Sequence, residues 1–355
     1  MALQAAVIGC GNITRFHFPG LLKAGVQIRW ICDINEQAAR SWLEKTGARY
    51  TADYRQAIAD PEVDLVDITV LSKLHKPMAL TAIEAGKAVI CEKTLTETSD
   101  DALEVVQAAK KKGTILYTSY MKRFIPAVQK AKELLPGLGT ILSTHIRAYQ
   151  QWGNLWDETP TEGFFHVPEG GQSLVRSNYG GGILLCGGSH ILDLVLFFLG
   201  RPKRLYANMH TPGAADYDVR TSVLLETNNG VVHYEALAHP LNRIGFLQDG
   251  WDEQVEIIGT RGKLNVYSSA WDQHQSKPCK LVHYDNATGQ SAEYRYFPDS
   301  PFERAMAFFC GNIVRGEQGS QSRNTGYEVN ELIDTIKRSS QAKQALEITW
   351  RLDEN

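Results

Sequence analysis

The chain runs to 355 residues, room for two domains at about 150 residues each. Hydrophobic residues make up 43% and charged residues 22%, the balance of a globular protein rather than a disordered or fibrous one. Lys and Arg total 37 against 40 Asp and Glu, a net charge of −3 with no basic tract, so nucleic acid is not expected as a partner. No apolar run approaches the roughly 18 to 20 residues of a membrane span. The longest, Ile191 to Leu199, is interrupted by Asp193. Ala5-Ala6-Val7-Ile8 opens the chain without a charged leader or cleavage site. The cysteines at 10, 32, 91, 186, 279 and 310 form no C-x-x-C pair. The expectation is a cytoplasmic protein with reduced thiols, no membrane partner and no metal site.

The first 120 or so residues alternate strand and helix patterns. Strands are expected at Ala5–Gly9, Ile28–Asp33, Leu65–Val70, Ala88–Glu92 and Thr114–Thr118, and helices at Glu36–Lys45, Lys76–Glu84 and Ser99–Lys111. Gly86 reads as a helix stop, and Ser99 or Asp100 as a cap. Such alternation implies βαβ units and a parallel sheet. A different grammar follows: a helix at Pro126–Leu135, then strand-like runs at Thr140–Tyr149, Lys203–His210, Thr221–Glu226, Val231–Ala238, Gln254–Ile258 and Lys263–Tyr267. Asn228-Asn229-Gly230 predicts a hairpin with positive φ at Asn and Gly, and Gly259 to Gly262 marks a second turn, so this sheet is expected to be antiparallel. Helices at Phe302–Val314 and Tyr327–Ser340 and a strand at Leu346–Trp350 close the chain. The division expected is an α/β domain over 1–122 and an α+β domain over 123–355.

Chemistry enters at Val7-Ile8-Gly9-Cys10-Gly11-Asn12-Ile13-Thr14, where the first strand ends and a helix begins. Gly9 permits a tight turn, Gly11 lets backbone approach a pyrophosphate, and the helix N-terminus supplies N–H groups and positive dipole. Thr14 stands where a third glycine usually closes helix against strand. Asp33, 22 residues after Gly11, ends the second strand, where a carboxylate can accept from both adenosine ribose hydroxyls. It would repel a 2′-phosphate, and Ile34-Asn35-Glu36 offers no base in compensation, which favours NAD over NADP.

Glu92-Lys93 places an acid–base pair at the carboxyl end of a strand, where ligands of open α/β sheets bind. A lysine there can hold a substrate hydroxyl and stabilise a developing alkoxide, although on spacing alone a surface lysine fits equally well. In the second half, Gly180-Gly181-Gly182 leads through Cys186-Gly187-Gly188-Ser189 to His190 at the start of an apolar helix. A neutral imidazole there can accept the proton of an alcohol as its hydride leaves, while a histidine satisfied by backbone is the ordinary alternative. Asp193, one turn on, reads as a buried hydrogen-bonding partner.

In combination these residues resemble the glucose-fructose oxidoreductase, inositol dehydrogenase and MocA (Gfo/Idh/MocA) family along nearly the whole chain. The matches are the Gly9–Gly11 loop, Asp33, the His75 to Gly86 helix, Ala85-Gly86-Lys87 leading to Glu92-Lys93, Lys122-Arg123-Phe124, and the glycine block ending at His190. The resemblance implies a Rossmann domain (a doubly wound parallel sheet) joined to a domain with a large open, mostly antiparallel sheet through which homo-oligomers form. It implies oxidation of a sugar or cyclitol hydroxyl, with Lys93 and His190 catalytic. Cofactor contacts are expected from Gly9, Gly11, Asn12, Ile13, Asp33, Ser72, His75, Glu92 and Lys93. Substrate contacts are expected from Lys93, Tyr149, Trp152, Arg176, Cys186 and His190.

Three departures stand out. Thr94 replaces the proline of a Glu-Lys-Pro motif, Val70-Leu71-Ser72 replaces Thr-Pro-Asn, and Cys186 occupies the place of the aspartate four residues before the histidine. A thiol is a much poorer hydrogen-bond acceptor than a carboxylate. The segment Tyr149 to Asp157 carries aromatic faces and amides suited to a carbohydrate, and Arg147, Arg176 and Arg243 suit an anionic group. The leading expectation is an NAD-dependent dehydrogenase. The alternatives are a glycoside hydrolase that oxidises C3 transiently with recycled NAD, and a non-catalytic NAD- or sugar-binding regulator.

Overall fold

The computed structural model describes residues 2–156, 181–213 and 215–354. It divides into two compact units: Met1–Tyr120 with Phe302–Glu331 and Trp350–Asn355, and Met121–Pro301 with Leu332–Thr349. The first break falls close to the expected residue 122. The remainder does not follow the expected uninterrupted 123–355 domain, because two C-terminal stretches return to the first unit.

In that unit the order is β1 (Gln4–Ile8), α1 (Thr14–Lys23), β2 (Gln27–Cys32), α2 (Glu36–Thr46), β3 (Arg49–Thr51), α3 (Tyr54–Ala59), β4 (Leu65–Ile68), α4 (His75–Glu84), β5 (Ala88–Cys91), α5 (Ser99–Lys112) and β6 (Leu116–Thr118). The strands pair in parallel in the order β3-β2-β1-β4-β5-β6. The strand order reverses between β1 and β4, and ligands of such sheets bind at that switch point. Ala5, Ala6, Val7, Leu65, Val66, Val89 and Ile90 are fully buried. The central strands are covered on both faces, which is why they read as unbroken apolar runs. Asn35 caps α2 by accepting from Gln37 N–H at 3.1 Å. For α5 the cap is Thr98, which accepts from Asp101 N–H, rather than Ser99 or Asp100. Both helices end on glycines in the left-handed region, Gly47 and Gly113.

What brings residues 302–331 back is packing on α1 and cover for the edge strand β6. A Cβ on Gly20 would lie 2.7 Å from the Met306 side chain, so glycine sets the approach of helix Pro301–Arg315 to α1. Phe302 stacks on Phe16 and Phe309 on Tyr117, at 4.9 and 4.4 Å between centroids. The Gln318 amide pairs with both backbone groups of Leu116, and Gln321 donates to the Thr118 carbonyl. Side-chain amides thus satisfy an edge that would otherwise be open.

The second unit holds α6 (Pro126–Leu134), β7 (Ile141–Gln151), a single π-turn at Leu184–Gly188, and α7 (Ser189–Leu199). The strands β8 (Arg204–His210), β9 (Arg220–Thr227), β10 (Gly230–His239), β11 (Trp251–Gly259), β12 (Gly262–Ser268), β13 (Cys279–Asp285), β14 (Gln290–Tyr296) and β15 (Leu346–Glu347) follow. They form a nine-stranded sheet, β14-β13-β12-β11-β7-β10-β9-β8-β15, antiparallel except for the β7–β10 pair. Along β7 the residues Thr144, Ile146, Ala148 and Gln150 are buried, while the alternate positions face outward. α6 lies against β12 to β14 and α7 against β7, so the helices cover one face. In the β9–β10 hairpin only Gly230 takes a positive φ, +100°. The two asparagines stay at negative φ because the Thr227 hydroxyl braces the turn through Asn229 N–H and the Gly230 carbonyl. Among the described residues no helix is long and apolar enough to cross a membrane.

Candidate functional site

The candidate nucleotide site is assembled in the first unit, where β1, β2, β4 and β5 end. Gly9 has φ +102°, and a Cβ there would lie 2.8 Å from the Val70 side chain and 2.9 Å from the Thr69 backbone, so no other residue fits. At Gly11 a Cβ would meet nothing within 4 Å. The backbone there is open, as close approach of a pyrophosphate requires, and no side chain caps α1 at Ile13. A dinucleotide therefore fits what the loop offers: exposed backbone at Gly11 and Asn12, and an uncapped helix start at Ile13. Thr14 is tolerated in place of a third glycine because its hydroxyl donates to the Gly9 carbonyl at 3.2 Å inside the core.

Asp33 braces the loop from β2. Its Oδ2 accepts from Cys10 N–H at 2.7 Å and its Oδ1 from Asn35 N–H at 2.8 Å. A carboxylate has about four lone-pair sites, so both oxygens keep capacity for ribose hydroxyls. The neighbouring Ile34 is 93% exposed and offers no charge. Burial, with Asp33 beside it, pushes the Cys10 thiol up to about 12, so it stays protonated.

The segment around Lys93 is fastened to the same loop. The Thr69 hydroxyl donates to the Gly9 carbonyl at 2.8 Å. His75, fully buried, sets Nε2 3.0 Å from the Val70 carbonyl and Nδ1 2.9 Å from the Thr94 carbonyl. Burial holds this ring below the ordinary histidine value, so it is neutral and donates to one of the two. Its place is between two backbone stretches, with no surface for a cofactor, whereas Ser72 stays partly exposed. The Lys93–Thr94 peptide is cis. Lys93 N–H donates to Glu92 Oε2 at 3.0 Å, and the Lys93 side chain is half-buried. Two residues that the motifs did not reveal complete this region: His17 lies against Glu92, and Asp67 against His17.

The second unit holds the glycine block. The π-turn that carries Cys186 runs directly into α7, and π-turns are concentrated at functional sites. Its glycines are required by close approach: a Cβ on Gly187 would lie 2.2 Å from the Gln150 amide, and one on Gly188 2.4 Å from the Tyr234 hydroxyl. Asp218, which sequence reasoning also missed, accepts from Leu184 N–H at 3.2 Å and from the Thr221 hydroxyl at 2.7 Å. Burial raises its carboxyl to about 6. His190 is 9% exposed in the first turn of α7, and Cys186 is partly exposed. Arg123 clamps the fully buried Asp193 at 2.7 and 2.6 Å, a bidentate pair that locks α7.

Three expected substrate residues fare differently. Tyr149 projects to the sheet face opposite Gln150, Gly187 and Gly188, and its hydroxyl donates to Glu235. Period-two alternation along β7 imposes this, which removes Tyr149 from the surroundings of the glycine block. Trp152 is 3% exposed, its indole N–H donating to Gln150 Oε1 at 3.1 Å, so it packs rather than presents a face. Arg176 lies outside the described residues. Arg147 pairs with Asp252 at 2.8 Å, and Arg243 is exposed.

A parallel 3-2-1-4-5-6 sheet with an open glycine loop and an aspartate at the end of its second strand defines a dinucleotide-binding α/β protein, here joined to an open-sheet domain. The chain belongs to the Gfo/Idh/MocA family. Residues 3–120 match the oxidoreductase family with an NAD-binding Rossmann fold, and residues 128–265 match the GFO/IDH/MocA C-terminal domain. It is 29% identical over 283 residues to inositol 2-dehydrogenase 2 of Saccharopolyspora erythraea, covering 76% of this chain and 75% of that one. It is 27% identical over 345 residues to 1,5-anhydro-D-fructose reductase of Ensifer adhaerens, covering 91% and 94%. Levoglucosan dehydrogenase in complex with NADH and levoglucosan superposes with a TM-score of 0.82 at 21% identity, covering 99% of this chain and 100% of that one, a likeness of fold.

Proposed function

We propose that this protein is an NAD-dependent dehydrogenase of a secondary hydroxyl on a sugar or cyclitol. The observation that carries the reading is the physical tie between the glycine loop and Lys93, through Thr69, Val70, His75 and Thr94. It sets a cationic side chain at the carboxyl end of β5, in the unit that holds the nucleotide loop. When bound, nicotinamide supplies the hydride acceptor. Lys93 holds the hydroxyl oxygen and stabilises negative charge developing there. His190 accepts the hydroxyl proton as a neutral base. Cys186 stands where the family resemblance expects an aspartate, and a thiol accepts a hydrogen bond far less well than a carboxylate. Asp33 directs the choice of NAD over NADP.

The relatives named above act on inositol and anhydrofructose, which supports a polyol ring as the substrate class. Homo-oligomerisation through the open sheet face belongs to the same proposal; Tyr206 and Leu224 are 43% and 40% exposed there, and light scattering of the purified chain tests it. The experiment for function is a panel of monosaccharides, cyclitols, anhydrosugars and aryl glycosides. It is followed for both NADH and released aglycone. Steady NADH from at least one polyol that Lys93→Met cannot oxidise supports the reading. Aglycone release without net NADH would replace it with the hydrolase alternative.

A further inference from the structure

Beside Lys93 the first unit buries an ionic cluster to which no role has been given. His17 projects from α1, Asp67 from β4, and Glu92 follows β5; His17 and Asp67 are 0% exposed and Glu92 is 6% exposed. His17 Nδ1 faces the two Asp67 oxygens at 3.0 and 3.1 Å, and Nε2 lies 2.9 Å from Glu92 Oε1. A ring with carboxylates at both nitrogens donates from both and carries a positive charge. Burial alone would lower its titration, but the charge and hydrogen bonds of Asp67 and Glu92 outweigh that and hold it up to about 10.

Cys91, Cys310 and His75, which also face the cluster, are neutral. The Cys91 and Cys310 thiols are pushed up by burial and by the nearby carboxylates, Cys310 to about 12, and burial keeps His75 uncharged. Two carboxylates against one imidazolium leave an excess negative charge, and Lys93 supplies the balance. Burial opposes ionisation of Glu92, yet the hydrogen bond and charge of His17, with the charge of Lys93, hold its carboxyl below the ordinary range. Both Glu92 oxygens are thereby fixed, one by His17 and the other by Lys93 N–H. Well-packed apolar side chains of similar volume would stabilise such a core at least as well as three buried ions, so stability alone does not account for the cluster.

We propose that His17 is a positioning residue for the reaction assigned to Lys93: it keeps Glu92 ionised and in place, and Glu92 sets the backbone and the field at Lys93. The inference rests on the catalytic reading of Lys93 given above. Its test uses the full chain with NADH bound and acetic anhydride as the lysine probe at mildly alkaline pH. Acetylation of the Lys93 peptide is followed by mass spectrometry in wild type, His17→Gln, Glu92→Gln and the double variant.

Loss of either partner removes negative charge beside Lys93, since a buried carboxylate without its cation takes up a proton. Each single variant is therefore expected to speed Lys93 acetylation by about tenfold. Lys73 and Lys130 should react as before, and the double variant should go no faster than Glu92→Gln, because His17 acts through Glu92. An unchanged Lys93 rate in folded His17→Gln, or rate gains that multiply in the double variant, overturns the proposal. If His17→Gln does not fold, side-chain NMR of the wild type decides: an imidazolium at His17 in mildly alkaline buffer supports it, and a neutral tautomer refutes it. Turnover by Lys93→Met reads separately. Wild-type rates there would sink the catalytic reading and leave the acetylation result standing.

Discussion

Replacement of Asp33 by alanine bears most directly on cofactor choice. The carboxylate offers free acceptor capacity on both oxygens while bracing Cys10 and Asn35. Two ribose hydroxyls donating to it contribute about 1.5 kcal/mol each, so Asp33→Ala is expected to cost about 3 kcal/mol of NADH binding. That corresponds to about 100-fold in Kd. For NADPH the wild type faces repulsion of about 3 kcal/mol per unit of phosphate charge at about 5 Å and an effective dielectric of about 20. Salt screens part of this, leaving a preference for NADH of at least about tenfold. In Asp33→Ala the preference should collapse, since both the attraction to one cofactor and the repulsion of the other are gone. Fluorescence titration with NADH and NADPH measures all four constants. NADPH binding the wild type as tightly as NADH, or undiminished NADH affinity in the variant, would refute the reasoning.

Other consequences are equally open to measurement. Lys93→Met and His190→Asn should each lower kcat by about 10²- to 10⁴-fold, as steady-state rates will show. Gly11→Ala should leave the melting temperature in place but weaken NADH. Gly187→Ala, whose Cβ would lie 2.2 Å from the Gln150 amide, should destabilise by about 1–3 kcal/mol in urea unfolding. Arg123→Leu removes the bidentate partner of the fully buried Asp193 and should cost about 3–5 kcal/mol, much of it recovered in Arg123→Leu with Asp193→Leu. His17 has a folded pKa raised to about 10 from an ordinary 6.5. Its contribution to stability is therefore fully present below pH 6.5 and lost as pH rises towards 10, and thermal melts of His17→Gln should lack that decline.

The parallel half of the fold was legible because buried strands leave unbroken apolar runs, as at Ala5–Ile8 and Leu65–Ile68, and because Gly86, at positive φ, marks the end of a helix. β3 and α3 were not: three residues of Arg, Tyr and Thr, and six residues burying only Ala57 and Ile58, carry no periodicity to read. β14 is almost wholly exposed, so it lacks an apolar face. The return of residues 302–331 depends on contacts such as Gly20 with Met306 and Gln318 with Leu116, about 200 residues or more apart in sequence, which no local pattern encodes. At the site, Gly9, Gly11 and Asp33 stand out through spacing, whereas Lys93 is singled out by the family resemblance, since spacing alone suits a surface lysine equally well. Tyr149 misled because the aromatic segment was read as a unit, while strand alternation divides it between two faces. His17 and Asp67 stayed hidden because they are single residues, 50 apart, whose meaning appears only when α1 crosses β4.

The proposed reaction is hydride transfer from a carbinol carbon to nicotinamide, with Lys93 on the oxygen. Its most direct test is turnover of the active sugar or cyclitol deuterated at the reacting carbon. The position of the label in the NADH formed is then read by NMR. One deuterium at the nicotinamide C4 per product molecule, with none transferred by Lys93→Met, is the predicted result. Unlabelled NADH, or full transfer by the lysine variant, would contradict it.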